Sequence, residues 1–224
     1  ARDGKETVVS YNATTFYDRD RRLQGVFTAA RDITERKQAE KQILNLALHD
    51  SLTLLPNRRR FNDRLVQTMA ASKRTNRHGA LIFLDLDKFK ALNDAQGHHV
   101  GDLLLIEVAR RISSCVREVD TVARFGGDEF ALILGELDVD KARSNIRSGV
   151  VAEKLRATLD KPYMLQVKQE GVAETTIEHH CTSSIGVVLF LGRDGNMEGV
   201  IKRADMAMYQ AKEAGGNTIR YHDS

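Results

Sequence analysis

The chain has 224 residues with a formal net charge of +3, and 42% of its residues are hydrophobic and 29% charged. This balance is typical of a folded globular domain and argues against disorder. Aromatic residues make up only 6% and Trp is absent, so the sequence lacks the basic, aromatic-rich character of single-strand nucleic-acid enzymes. No nucleic-acid partner is expected.

Cys115 and Cys181 are the only cysteines, and neither has the ligand spacing of a zinc site. Two reduced, buried thiols are expected, as in cytoplasmic proteins. No apolar run approaches the roughly 20 residues that cross a bilayer. We therefore predict a cytoplasmic protein with no membrane contact within this chain. Because the chain begins in a strand-like stretch without Met, we expect it to be part of a longer protein, which can carry a membrane anchor elsewhere.

Residues 1–32 contain two predicted strands, Glu6–Phe16 and Leu23–Ala30, joined by a charged turn. Two strands alone cannot bury a core, so they are expected to end another domain or to pack on a neighbour. Residues 33–48 have helix-forming composition, and Thr34 is a candidate N-cap. This segment is predicted to be a connecting helix.

Residues 49–224 form the predicted main domain, in which helical and strand-like patterns alternate. Such alternation predicts a sheet covered by helices, in the α/β or α+β class. The predicted elements, in chain order, are a helix over Asn57–Arg77 capped by Asn57, a strand over Ala80–Leu86, a helix over Val100–Val116, strands over Thr121–Arg124 and Phe130–Leu134, a helix over Val139–Leu159, a strand over Ile185–Leu191 and a helix over Met197–Ala214.

Acidic residues follow the most apolar predicted strand, in the sequence Asp85-Leu86-Asp87. A carboxylate at the tip of a buried strand is held rigidly while its head meets solvent, which suits a hard cation. Aspartates also occur at strand ends as simple caps or surface residues, so this feature alone leaves both interpretations open.

A glycine pair, Gly126-Gly127, separates two predicted strands and can adopt the positive φ angles of a tight hairpin. Asp128 and Glu129 follow directly, although acidic residues are disfavoured in strands and repel each other. A divalent cation would compensate that repulsion. Together with Asp85, these acids could share one or two Mg²⁺ ions that neutralise a triphosphate.

Five segments in order resemble the signatures of the GGDEF family of diguanylate cyclases. They are HDSLTLLPNRRRF (49–61), FLDLDKFKALNDAQGHHVGDLLL (83–105), RFGGDEF (124–130), SIGVVLF (184–190) and ADMAMYQAKEAGGN (204–217). The preceding residues, ending in Asp32-Ile33-Thr34-Glu35-Arg36, resemble the last strands and exit motif of a PAS sensor domain. The resemblance implies a PAS remnant over 1–32, a signalling helix over 33–48 and a GGDEF domain over 49–224.

The resemblance implies a central, mostly antiparallel five-stranded sheet flanked by helices, as in nucleotidyl cyclase and palm-type catalytic cores, behind an N-terminal linker helix. It also implies a metal site. Asp85 and Asp128 would bind Mg²⁺, with Mn²⁺ as an alternative, and the carbonyl of Leu86 would be a further ligand. Glu129 would assist a second metal ion or help to deprotonate the attacking ribose 3′-hydroxyl.

Substrate contacts are implied in the same way. Asn93 and Asp102 would bind the guanine edge, and Asp102 suits it because a carboxylate accepts well from adjacent N–H donors. For Asn93, a turn role is the alternative. Lys90 and Lys212 would contact the β- and γ-phosphates.

The chain departs from the family pattern at two positions. Gly216 stands where an Arg commonly supplies a further phosphate contact, which predicts weaker GTP binding but not inactivity. Leu54 stands where a Gly is usual, with an expected effect that is local.

Arg117 and Asp120 match the family's RxxD site, at which a cyclic di-GMP dimer docks and inhibits. An arginine fork suits phosphate and guanine, and a carboxylate suits guanine amines. The alternative is a solvated helix end.

The implied reaction condenses two GTP molecules into two pyrophosphates and cyclic di-GMP, which would also be the feedback inhibitor. Because one domain holds one GTP, turnover would need a homodimer whose geometry the linker helix could set. One alternative is a GTP- or product-binding regulatory module that precedes a phosphodiesterase (EAL) domain. A palm-type polymerase is a second alternative, which the composition disfavours.

Overall fold

The computed structural model describes residues 6–167, 175–193 and 195–222. It divides into two compact units, Ala1–Ala47 and Leu48–Ser224. In the first unit, strands β1 (Val9–Tyr17) and β2 (Leu23–Asp32) form an antiparallel ribbon. Nearly all of its residues are exposed on both faces. The ribbon therefore buries no core of its own, as expected for an isolated strand pair.

Helix α1 (Thr34–Leu48) follows the ribbon, and the N-cap predicted at Thr34 is wrong. Thr34 is already helical, and its hydroxyl accepts a hydrogen bond from the amide of Val8 at 2.8 Å, outside the helix. The carboxylate of Asp32 accepts from the Thr34 amide at 2.8 Å. Asp32, and not Thr34, thus satisfies a first-turn amide of α1.

The second unit contains five helices, a five-stranded sheet and a separate strand pair among its described residues. The elements are α2 (Arg58–Thr75), β3 (Gly79–Leu86), α3 (Phe89–Gln96), α4 (His98–Cys115), β4 (Thr121–Gly126), β5 (Glu129–Leu134), α5 (Lys141–Leu159), β6 (Tyr163–Val167), β7 (Thr175–His179), β8 (Ser183–Phe190), α6 (Met197–Glu213) and β9 (Ile219–Tyr221). The sheet order is β4-β5-β3-β8-β9. Only β9 runs parallel to its neighbour, so the predicted mostly antiparallel five-stranded sheet is confirmed.

Strand β3 lies at the centre of the sheet and is buried along its whole length. Its side chains alternate between two cores: Ile82 and Leu84 face α4 and α5, whereas Leu81 and Phe83 face α2 and α6. A strand covered by helices on both faces must be apolar throughout, which explains why its run of hydrophobic residues ends only where Asp85 begins the polar site.

Side-chain caps set the starts of two helices, α2 and α5. Asn57 caps α2 as predicted, because its side chain accepts from the Arg60 amide at 3.1 Å. Helix α5 begins at Lys141, two residues later than predicted, because Asp140 caps it through the Arg143 amide at 2.8 Å. Helix α4 begins earlier than predicted, at His98, so this histidine is helical and does not lie in a loop.

Four elements were not predicted: α3, the β6–β7 hairpin and β9. Helix α3 has only eight residues, too few for a clear helical period. It contains Asn93, so the alternative that placed Asn93 in a turn is wrong. Strand β9 has three residues and depends on its parallel partner β8, which is distant in sequence.

Leu54 has a φ of +60°, the left-handed conformation that Gly adopts without steric cost. The side chain is 73% exposed, so it gains little from packing. The departure from the family pattern at Leu54 therefore leaves a strained turn.

Among the described residues, every helix is too short or too polar to span a bilayer.

Candidate active site

The candidate site is built where β3, β5 and β8 reach the same end of the sheet. Asp85 on β3 pairs in register with Glu129 on β5 and with Ser184 on β8. The Asp85 side chain is almost fully buried, with 4% of the residue exposed. Its Oδ2 lies 2.6 Å from Nζ of Lys212 on α6. Its Oδ1 is buried without a hydrogen-bond partner, and such an atom favours an additional cation.

The hairpin between β4 and β5 brings Asp128 to the same place. Gly127 has a φ of +51°, as the predicted tight turn requires. The carbonyl of Asp128 accepts from the Leu86 amide at 3.3 Å, which holds the hairpin against the end of β3. Strand β5 begins one residue earlier than predicted, so Glu129 belongs to the strand and faces the site through the sheet register.

Phe125 anchors the other side of the hairpin. Its ring packs edge-on against Phe61 and Phe83, with ring centroids 5.4 and 4.8 Å away. The guanidinium of Arg58 lies over the same ring at 4.8 Å. Aromatic contacts of this kind stabilise beyond their buried area. The loop that carries Asp128 is therefore fixed to the core.

Burial is the main perturbation of the acidic groups, and their charges add to it. Burial raises the pKa of Asp85 to about 6; Lys212 opposes this rise, and the charges of Asp128 and Glu129 add to it. Burial also raises the pKa of Glu129, with further contributions from Asp205 and Asp128. Asp205 on α6 was not predicted as part of the site. Only the packing of α6 on the sheet brings its charge near Glu129.

The residues at this end of the sheet offer an incomplete set of oxygen donors, which would suit a divalent cation. Among the described residues, no group of three or more His, Cys, Asp and Glu side chains forms a ready-made metal cage. Mg²⁺ in nucleotide enzymes commonly uses one or two carboxylates and takes its remaining ligands from water and phosphate. Asp85 with its unpartnered Oδ1, Asp128 and the carbonyl of Leu86 provide such an open, incomplete set.

A cleft of about 430 Å³ opens beside these acids. It brings together five of the predicted site residues, namely Asp85, Leu86, Lys90, Asp128 and Lys212. Lys88, Gly215 and Gly216 also line it. Lys88 precedes α3 with a φ of +60° and gives this helix no side-chain cap. The first amides of α3 therefore lack a capping side chain at an end whose dipole favours anions.

Asp87, two residues after Asp85, has a structural role. Its carboxylate accepts from the hydroxyls of Thr182 and Ser184 at 2.6 and 2.7 Å and from the Asn217 amide at 2.9 Å. These bonds fasten the loop after α6 to the sheet. Gly216 lies in this loop with a φ of +77°, and a Cβ there would lie 2.8 Å from Asp87. Asp87, to which the family resemblance gave no role, is therefore occupied within the fold.

The predicted guanine contacts lie away from the lining of this cleft. Asn93 is half-buried on α3, and its Oδ1 has no hydrogen-bond partner. It packs against Gly101 on α4, where any Cβ would collide with it. Asp102 is the next residue and is exposed. The Asn93 oxygen is therefore a buried acceptor without a partner, whereas the Asp102 carboxylate is open to solvent; both are of the type that guanine N–H groups need.

Arg117 and Asp120 form a tight turn after α4. The Asp120 carboxylate accepts from the Arg117 amide at 3.1 Å, and the Arg117 carbonyl accepts from the Asp120 amide at 3.0 Å. Both residues line a second cleft, and no lining residue is common to the two clefts. The structure therefore separates the predicted product site from the predicted active site.

The sheet order, with acidic residues at the ends of adjacent central strands, defines an α+β domain of the nucleotidyl cyclase type. Residues 47–218 match the family model described as "Diguanylate cyclase, GGDEF domain". The chain belongs to the GGDEF family.

Relatives with curated names support this assignment. MucR of Pseudomonas aeruginosa, named as a bifunctional diguanylate cyclase/cyclic di-GMP phosphodiesterase, is 42% identical over 191 residues, which are 85% of this chain and 26% of MucR. The diguanylate cyclase TpbB of the same species is 36% identical over 191 residues, or 83% of this chain and 41% of TpbB. The chain spans only 26%, 23% and 19% of three curated relatives that it matches.

Solved structures have the same fold. The GGDEF domain of TpbB matches with a TM-score of 0.67 and 33% identity, covering 77% of this chain and 99% of that domain. The coiled coil and GGDEF domain of DgcB from Caulobacter crescentus, solved in complex with c-di-GMP, matches with a TM-score of 0.71 and 27% identity, covering 84% of this chain and 93% of that one.

Proposed function

We propose that this chain is a diguanylate cyclase domain that condenses two GTP molecules into cyclic di-GMP and two pyrophosphates. The observation that carries this proposal is the pairing of Asp85 with Glu129 across adjacent strands, in contact with Lys212 and beside Asp128. Buried acids that raise one another's pKa are candidates for metal binding and acid–base chemistry.

GTP as substrate and free buried thiols at Cys115 and Cys181 favour a cytoplasmic location.

In each half-reaction, a ribose 3′-oxygen bonds to the α-phosphorus of the other GTP, the bond to the β-phosphate oxygen breaks, and pyrophosphate leaves. A bound Mg²⁺ ion would supply charge neutralisation for the phosphates, held by Asp85, Asp128 and the Leu86 carbonyl; Mn²⁺ could take the same place. Lys90 and Lys212 hold the β- and γ-phosphates. Glu129, with its raised pKa, is suited to take the proton of the 3′-hydroxyl.

Guanine selection is assigned to Asn93 and Asp102, whose acceptor oxygens match the adjacent N–H donors of guanine. Because each domain holds one GTP, catalysis requires two copies facing each other as a homodimer. The residues before the domain are assigned as a PAS remnant (1–32) and a linker helix (33–48), which would set that geometry. Arg117 and Asp120 are assigned to binding of cyclic di-GMP as a feedback inhibitor.

A regulatory module without strong turnover is the second candidate. Two observations favour it: Gly216 replaces the common phosphate-binding Arg, and the relative MucR is named for both a cyclase and a phosphodiesterase activity. In this case the domain would bind GTP or cyclic di-GMP and act on a neighbouring phosphodiesterase domain.

Incubation with GTP and Mg²⁺, followed by chromatographic separation of nucleotides, tests the proposal. Cyclic di-GMP and pyrophosphate should appear with the wild-type chain and not with Glu129→Gln, which retains the shape of the side chain but not its charge. GTP binding without product in a verified dimer would favour the regulatory module.

A further inference from the structure

The second cleft lies between the start of α2, the end of α4 and the start of β4. Its volume is about 470 Å³, within the roughly 300–1,000 Å³ of small-molecule sites. Besides Arg117 and Asp120, it is lined by Arg60 and Arg64 of α2. Arg60 and Arg64 are four residues apart on a helix, so their side chains lie on the same face.

Glu118 and Asp120 share the cleft with these three arginines, but no salt bridge joins them among the described residues. In the part of the chain that the structure describes, none of their guanidinium groups lies within salt-bridge distance of a carboxylate. Arg64 donates only to the amide oxygen of Gln67 at 3.3 Å, and Arg60 donates to the imidazole of His49. Clustered guanidinium groups without acidic partners favour a ligand with more than one phosphate.

His49 holds Arg60 in a defined orientation. Nδ1 of His49 lies 3.0 Å from the carbonyl oxygen of Leu54, so this nitrogen carries the proton and Nε2 is the acceptor. Nη1 of Arg60 donates to Nε2. The remaining N–H groups of this guanidinium have no hydrogen-bond acceptor among the described residues, and Arg60 lines the cleft.

We propose that Arg60 and Arg64 are phosphate contacts for a cyclic dinucleotide bound at Arg117 and Asp120, and that His49 is the positioning residue for Arg60. This inference rests on the proposed product site. Arg117 and Asp120 bind one guanine and its adjacent phosphate, and the two α2 arginines reach the second phosphate. The ligand therefore spans from the turn after α4 to the first turns of α2.

Calorimetric titration with cyclic di-GMP tests the contacts. Arg60→Ala and Arg64→Ala should each weaken binding about tenfold, and Arg117→Ala at least as much. The matched control is Arg59→Ala, which removes an exposed arginine of α2 that does not line the cleft and should bind as the wild type does. Arg60→Lys, which retains the charge without the fork, should also bind several-fold more weakly and covers the case in which Arg60→Ala does not fold.

The outcomes separate this inference from the proposed function. If Arg117→Ala loses binding but the Arg60 and Arg64 variants bind like the wild type, the inference is wrong and the product site stands. If the wild type does not bind cyclic di-GMP, or if Arg117→Ala binds it as tightly as the wild type does, both the inference and the proposed product site are wrong. Cyclase activity measured on the same variants tests the active site separately.

A double-mutant cycle tests the positioning role. His49→Ala should weaken cyclic di-GMP binding several-fold in the wild-type background and have no further effect in Arg60→Ala. Additive effects of the two substitutions would show that His49 acts through general stability instead, which would overturn its assigned role.

Discussion

Arg124 joins Asp50 to the glycine hairpin. Its Nη1 lies 3.1 and 3.2 Å from the two carboxylate oxygens of Asp50, and its Nε and Nη2 donate to the carbonyl of Gly127 at 2.9 and 2.8 Å. One guanidinium therefore connects the residue at the start of the domain to the turn that presents Asp128. Although burial works against the charged form, hydrogen bonds from Thr53 and Arg124 lower the pKa of Asp50.

Replacing Arg124 with Ala should destabilise the domain by about 1–3 kcal/mol and lower turnover by about tenfold or more, because it leaves Asp50 unpaired and releases the hairpin. Urea unfolding and initial rates with GTP and Mg²⁺ would measure both effects. Arg59→Ala serves as control. Unchanged turnover in a folded Arg124→Ala variant would show that the hairpin keeps its position without the hydrogen bonds of Arg124.

Asp85→Asn should stop turnover and yet stabilise the metal-free domain at neutral pH. The pKa of Asp85 is about 6 in the folded chain against a usual 3.8, so the folded state binds the proton more tightly than the unfolded state. Stability is therefore lost as the pH rises between these values, by on the order of 2 kcal/mol above pH 6. Urea unfolding of both proteins at about pH 4 and pH 7 should show a gain for Asp85→Asn only at the higher pH. An equal gain at both would contradict the burial argument.

Activity should fall below about pH 6 because protonated Asp85 cannot bind a cation, and added Mg²⁺ should partly restore it. Lys212 lowers the pKa of Asp85, so Lys212→Ala should move the fall to higher pH as well as weaken phosphate binding. Rates measured against both pH and Mg²⁺ concentration would check this. If the wild-type rate at low pH is insensitive to Mg²⁺, Asp85 is not the group that titrates.

Gly216→Ala should lower the free energy of unfolding by about 1–2 kcal/mol. The new Cβ would adopt an unfavourable φ and lie 2.8 Å from the carboxylate of Asp87. Gly127→Ala is the control, since Gly127 also has a positive φ, +51°, with open space around it; it should lose less. Equal losses in both variants would mean that the Asp87 contact is unimportant.

The closeness of position 216 to Asp87 also determines what would happen if the Arg common in the family were restored there. Simple restoration of the Arg, in Gly216→Arg, is expected to disturb the Asp87 hydrogen bonds, so it should not lower the KM for GTP unless the loop shifts. Titration of GTP binding and thermal unfolding of this variant would separate a gained phosphate contact from a damaged loop.

The local sequence patterns were sufficient for the long elements and for the acids. Strand β3 and helix α2 were predictable because an apolar run and an Asn cap are local signals. The structural role of Asp87 was not, since it depends on Thr182 and Ser184, almost a hundred residues later. Likewise, Asp205 beside Glu129 and Arg60 beside Arg117 result from tertiary packing that no local pattern encodes.

The pairing of Lys212 with Asp85 has a consequence for how the site is loaded. The ammonium group offsets part of the cost of the buried Asp85 carboxylate when no metal is bound. An incoming ion must compete with this internal counter-charge. If a nucleotide binds together with its cation, as the proposed function requires, its phosphates would offer Lys212 a new partner while the ion takes over the carboxylate.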